Sequence, residues 1–242
     1  DNTPLGNFFE PFKPYEKART ISTNGWLNIC NYFVDKKTNS KIWQRGLPLD
    51  KIKKNNTEKI SQLSKKKVFV HHTLCNGNPD VDAIFRLMNK SKNNVKFISN
   101  RKYFVSKNSI CPFNSQSTIW SKEAFPLMYL PSHCSMRTTD IWRGLIAERI
   151  LKNDNKNILY SSPIVFQKRN KHDLMVDFKD EVPVYLKNNQ IVEILKNIKL
   201  KKGKNHYLKN LKICYLELVK HKIFPKDELK ILKAWIKNIN LI

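Results

Sequence analysis

One helix is written plainly into this chain, and it limits what can be built around it. From Ile141 onward, Ile141, Leu145, Ile146 and Ile150 recur on one helical face, Glu148 and Arg149 lie on the other side, and Asn153-Asp154-Asn155 ends the pattern. Thr138 or Thr139 supplies an N-cap and sets Asp140 in the first turn. A carboxylate there gains typically under about 1 kcal/mol from the helix dipole, so a good helix start accounts for it. The other reading turns Asp140 into a cleft as a general base or substrate ligand, which requires partners from elsewhere in the chain.

Short apolar segments bracket this helix. Val68 to His71, Val95 to Ile98, Tyr103 to Val105, Ile158 to Ser161 and Ile164 to Gln167 read as strands, as do Asn28 to Phe33 and Lys41 to Trp43. A turn is expected over Asp35 to Ser40. Pro79-Asp80 suits a helix start, with Val81, Ile84, Phe85 and Met88 as its apolar stripe. Beyond Glu181 the character changes to amphipathic helices with lysines outside, marked by Ile191, Leu195, Leu211, Cys214, Leu232 and Ile236. The pattern predicts an α/β core over residues 1–185 and a helical C-terminal appendage over 186–242.

Composition excludes several classes. With 242 residues, 40% of them hydrophobic, the chain can bury a real core. No run approaches the roughly 18 apolar residues that span a bilayer, so the chain as given is expected to be soluble. Five cysteines with no Cys-x-x-Cys pair argue against a zinc knuckle or a disulfide framework. The net charge of +25 invites a nucleic-acid reading, yet only eight of the 45 basic residues are arginine. Lysine and asparagine excess together is what an AT-rich genome produces, so most lysines are read as solvated surface that still attracts anionic substrates. No specific nucleic-acid partner is expected.

Chemistry-bearing residues are sparse. Asp80 and Asp82 could share a divalent cation if an irregular turn held both, since on a helix they would point about 200 degrees apart. Capping and solvent exposure explain the pair equally well. His172, in the polar loop Lys168 to Leu174, could reach a cleft as a ligand or be an ordinary exposed histidine.

Three motifs in order say more than each alone. Trp43-Gln44-Arg45-Gly46-Leu47-Pro48-Leu49, Pro79-Asp80-Val81-Asp82-Ala83-Ile84-Phe85 and Ser135-Met136-x-x-x-Asp140-Ile141-x-Arg143-Gly144 resemble the STELLO-type glycosyltransferases, over about residues 1–185 and more weakly the tail. A fainter likeness reaches the reversibly glycosylated polypeptides, which are nucleotide-sugar mutases. The resemblance implies a GT-A-like mixed sheet flanked by helices, a UDP-type nucleotide-sugar donor, a glycan or protein acceptor, and Mn2+ or Mg2+ as cofactor. It makes Asp140 the catalytic, acceptor-side carboxylate, and Arg45, Asp80, Asp82, Arg137 and Arg143 substrate-binding. Arg45 matches an arginine at the self-glycosylation site of the mutases. Asp1 and His172 become metal ligands, because Asp1-Asn2-Thr3-Pro4 looks like the end of the family's Asp-rich metal motif. On that reading the chain is a C-terminal portion of the domain, and members with Golgi anchors carry them upstream. Two alternatives stay open: a non-catalytic STELLO-like partner of glycan-synthesising enzymes, and a basic nucleic-acid-binding module.

Overall fold

The structure, a computed structural model, describes residues 2–9, 12–34, 41–52, 58–89, 94–170 and 172–239. In chain order its strands and helices are β1 (Asn2–Pro4), β2 (Tyr15–Ser22), β3 (Gly25–Trp26), β4 (Lys59–Ile60), β5 (Ser64–Gly77), α1 (Ala83–Met88), β6 (Lys102–Val105), β7 (Ser109–Ile110), β8 (Thr118–Trp120), α2 (Thr139–Asn153), β9 (Asn157–Gln167), α3 (Leu174–Asn197), α4 (Tyr207–Lys220) and α5 (Glu228–Ile239). The fold is mixed α/β, a mixed sheet with flanking helices.

Two long strands organise it. β5 and β9 run parallel from Val68 to Gly77 and from Asn157 to Gln167. β9 also pairs antiparallel with β6, β6 pairs parallel with β2, and β2 returns antiparallel to the start of β5. The pairings therefore close a circuit, and one residue from each strand fills its inside: Ala18, Val68, Phe104 and Leu159 form their own buried cluster. A register shift between Val68 and Val70 resets the alternation, so Val70 faces the main core instead of this cluster. Pro163, in mid-strand, sits where β9 has a second irregularity against Thr73 and Cys75, which spares the ladder a missing donor.

Several sequence expectations change. β5 is longer than Val68 to His71, because Lys65, Lys66 and Lys67 continue it against β2 and lay their ammonium groups over the rings of Tyr15, Phe104 and Phe69 at 5.9, 5.4 and 5.3 Å. Ile29 to Tyr32 is a 3-10 turn, not a strand, because the Asn28 side chain accepts from the Cys30 amide and caps it. Lys41 to Trp43 has no strand pairing, and Val95 makes a single bridge to Gly77. Helix α1 starts at Ala83, with Asp82 as its N-cap, and Met88 is exposed. The turn expected over 35–40 lies outside the described residues.

Helix α2 is buried on nearly every side, so Glu148 and Arg149 do not mark a solvent face. Glu148 accepts from the Cys111 amide and Lys152, and Arg149 donates to the Leu195 and Ile198 carbonyls at the end of α3. Gly144 is required there, since a Cβ would stand 2.6 Å from the Phe113 carbonyl oxygen. The tail helices share the main core through Val184, Ile191, Tyr207, Leu211 and Leu232, and α3 runs across residue 185. All five cysteines are free thiols. No helix among the described residues is long and apolar enough to cross a membrane.

His71 and His72 point to opposite sides of β5, bonded to Ser161 Oγ (2.7 Å) and Thr118 Oγ1 (2.8 Å). Burial pushes both imidazoles down to about 4. An unfolded histidine titrates near 6.5, so below that pH the unfolded chain binds protons that the fold refuses until about pH 4. Stability is therefore full above pH 6.5 and falls through the window from 6.5 to 4, by about 3 kcal/mol per histidine at most. Urea titrations across that window check this, and His72→Asn should flatten the slope.

Candidate functional site

The C-terminal ends of β5 and β9 open onto a polar cleft of about 510 Å3, the position where open α/β sheets receive ligands. Segments far apart in sequence meet there, among them the loop carrying Arg45, the loop carrying Asp80, Ser115 and Gln116, the approach to α2 with Arg137 and Asp140, and Gln167, Arg169, Asn170 and His172 at and beyond the end of β9.

Arg45 binds them together. Its guanidinium is buried and donates to Asp80 from Nη2 (2.6 Å) and from Nε, and to Asp140 from Nη1 (3.0 Å) and Nη2 (3.1 Å). Nη1 also donates to the Arg137 carbonyl. The loop can bring it there because Gly46, at φ +96°, lies so close to Ile141 that a Cβ would meet Cγ2 at 2.7 Å. Burial lowers the Arg45 pKa, but Asp80 and Asp140 outweigh that and hold it well above the usual arginine value. Burial likewise raises Asp80, and Arg45 with Arg137 reverses this, keeping its carboxyl below the ordinary range.

The two carboxylates differ in what they have left. A carboxylate offers about four acceptor sites. Asp80 accepts four contacts, from Arg45 Nε to both oxygens, from Arg45 Nη2, and from Arg137 Nη1 at 3.3 Å. Asp140 accepts three, two from Arg45 and one from the Ser115 amide at 2.9 Å, which leaves an acceptor site on Oδ1. Asp80 is an anchor, while Asp140 retains capacity for a ligand hydroxyl.

Of the residues expected at a site, Arg45, Asp80, Arg137, Asp140 and His172 line this cleft. Asp82 and Arg143 do not. Asp82 is fully buried, caps α1 through the Phe85 amide and accepts from Trp43 Nε1 (2.6 Å), and burial pushes its carboxyl up to about 6. Arg143 lies one layer behind, its guanidinium 5.0 Å from the Trp120 ring centre and donating to Ser115 Oγ. Asp1 lies outside the described residues. His172 sits 3.5 Å from Asp177, and no three His, Cys, Asp or Glu side chains among the described residues are grouped to hold a metal ion.

Two charged lining residues did not figure among the site candidates, Arg86 and Arg169. Arg169 pairs with Asp177, at the start of α3. Arg86 donates to the Pro79 carbonyl (2.7 Å) and Asn78, while its buried Nε has no partner. Burial and the adjacent Arg169 push its pKa down to about 10, the mark of a cation that an incoming anion would relieve. The available signal was residue type: among the described lining residues every Lys or Arg is arginine, in a chain where lysine dominates.

A mixed α/β fold whose strand-end cleft gathers arginines and a part-filled carboxylate is the architecture of a ligand-binding domain. Residues 137–242 match the family model described as STELLO glycosyltransferases. The chain is also similar to two proteins of Arabidopsis thaliana, the probable glycosyltransferases STELLO2 (21% identical over 208 residues, 83% of this chain) and STELLO1 (22% over 203 residues, 82%). It spans about a quarter of their length, 26% in both cases. The family match includes all of α3 to α5, the part where the motif resemblance was weaker.

Replacing Arg45 with Ala strands two buried carboxylates, which costs about 3–5 kcal/mol. Chemical denaturation should show that loss. Arg45→Lys should recover only part of it, because an ammonium cannot serve both carboxylates bidentately.

Proposed function

We propose that this chain forms the acceptor side and part of the diphosphate grip of a glycosyltransferase that moves a sugar from a nucleotide-sugar donor, of UDP type, to a glycan or protein acceptor. The observation that carries it is the lining of the cleft. Arg86 and Arg169 share it with Asp140, whose Oδ1 keeps an acceptor site. Family similarity supplies the reaction class.

In this reading Arg86 and Arg169 neutralise charge on the departing diphosphate, which arginine's fork geometry suits better than an ammonium. Asp140 accepts a hydrogen bond from the acceptor hydroxyl and aims its oxygen at the anomeric carbon. Three donors already hold that carboxylate in place, so its role is orientation. The new glycosidic bond forms as the bond to the diphosphate oxygen breaks, and the acceptor proton leaves with the diphosphate. A divalent cation, Mn2+ or Mg2+, belongs to the proposal through the resemblance. The described residues do not fit such a site by themselves, since Asp80 and Asp140 are engaged by arginines, and no step here runs through the ion.

One feature favours a second reading, a non-catalytic partner of glycan-synthesising enzymes: every described carboxylate of the cleft already has an arginine partner. A basic nucleic-acid module is disfavoured, because the arginines gather in the cleft and the lysine run of β5 lies on aromatic rings.

UDP, with and without Mn2+, should raise the melting temperature of the protein. Arg86→Ala and Arg169→Ala should each weaken UDP binding about ten-fold or more, the worth of a charge-assisted hydrogen bond. Asp140→Asn should keep the UDP shift and lose transfer in the intact protein. Unchanged UDP binding in both arginine variants would refute the diphosphate assignment, and intact transfer by Asp140→Asn would remove that residue's role.

A further inference from the structure

The tail helices carry a surface that the sugar-transfer reading does not use. Between α4 and α5 runs a groove of about 270 Å3, floored by Leu216, Leu229, Leu232 and Ile236 and edged by Lys212 and Lys233. Leu216 is 43% exposed. An open apolar groove of this kind marks a contact surface.

Charge narrows what covers it. Glu217 is held by Lys220 at 3.4 Å, Asp227 by Lys230 at 2.7 Å, and Glu228 is buried against Ser132 and His133. The acidic side chains of this region are thus neutralised or buried, while Lys212 and Lys233 have no acidic partner among the described residues. The rim is positive and the floor is apolar. Shape narrows it further: the lining apolar positions on α5 follow an i, i+3, i+7 row along about 10 Å of helix, and Leu232 is recessed to 1% exposure. A concave floor between two helices receives side-chain knobs, whereas a helix lying on a membrane presents a convex apolar face. Nucleic acid would match the rim but leave the floor uncovered.

We propose that the α4–α5 groove is a docking site for an acidic amphipathic helix of a partner protein. The partner's leucine-like side chains, at i, i+4 and i+7, fill the groove, and its flanking carboxylates meet Lys212 and Lys233. Apolar burial supplies affinity, and the charged rim supplies selectivity and speed of association. Nothing in this site overlaps the Arg45 cleft, so it stands whether or not the chain transfers sugar.

Fluorescence anisotropy of the whole chain tests this with a labelled peptide of about four helical turns, carrying leucines at i, i+4 and i+7 flanked by glutamates. A lysine-flanked peptide of the same leucines and phosphatidylserine-containing vesicles serve as competitors. The acidic peptide should bind, weaken with added salt, and lose about ten-fold or more in affinity with Leu216→Glu. Changing both rim lysines, as Lys212→Glu with Lys233→Glu, should abolish acidic-peptide binding and create binding of the lysine-flanked peptide. Circular dichroism and an unchanged UDP response establish that these exposed substitutions leave the fold intact. The proposal is overturned if neither peptide binds, if both bind equally, if the charge exchange does not reverse preference, or if only vesicles bind in a Leu216-dependent way.

Discussion

Everything around the cleft depends on one guanidinium buried between two carboxylates. Arg45, Asp80 and Asp140 come from three segments that nothing local would bring together, and removing charge from water is costly unless every donor and acceptor is met. Here the guanidinium's donors are met by Asp80, Asp140 and the Arg137 carbonyl, and the Ser115 amide adds a third contact to Asp140, leaving one site on Oδ1. The lattice extends outward, because Arg137 also bonds Glu181 of α3 at 2.5 Å. Glu181 in turn accepts from the Ala83 amide at 2.7 Å, at the start of α1. Docking α3 onto the core and shaping the cleft are thus one set of interactions, which makes the site rigid and the fold intolerant of its loss.

Such a lattice also assigns work. Asp80 lines the cleft with its acceptor sites filled by Arg45 and Arg137, and Asp82 is buried away from it, whereas Asp140 keeps a site open. Arg86 is less completely met: Arg169 repels it, and its buried Nε has no hydrogen-bond partner among the described residues. Both arginines line the same cavity as the part-filled carboxylate.

What could be read in the sequence followed from periodicity. Helix α2 ends at the predicted Asn153, and the three tail helices fall where apolar residues recur at helical spacing. Short segments failed because an apolar run of four or five residues does not specify its partner: Asn28 to Phe33 became a capped 3-10 turn, and Ile158 to Gln167 fused into one strand across Pro163. The closed circuit of β2, β5, β9 and β6 was invisible, since it rests on pairings between residues scores apart in the chain. Motif order did bring Arg45, Asp80, Arg137 and Asp140 together, though it could not tell which carboxylate would be saturated.

Arginine usage is the signal that reaches further. In a chain whose composition favours lysine, arginine is retained where a planar fork makes contacts that a point charge cannot. Arg45 bridges two carboxylates, Arg149 takes two carbonyls at the end of α3, Arg143 lies against Trp120 while reaching Ser115, and Arg137 spans Asp80 and Glu181. By the same logic Arg86 and Arg169 should have fork-shaped work. The protein gives Arg86 only carbonyl oxygens and Arg169 a single carboxylate, less than two guanidinium groups can use. Both residues line the cleft, and the diphosphate of the proposed donor has oxygens suited to such forks.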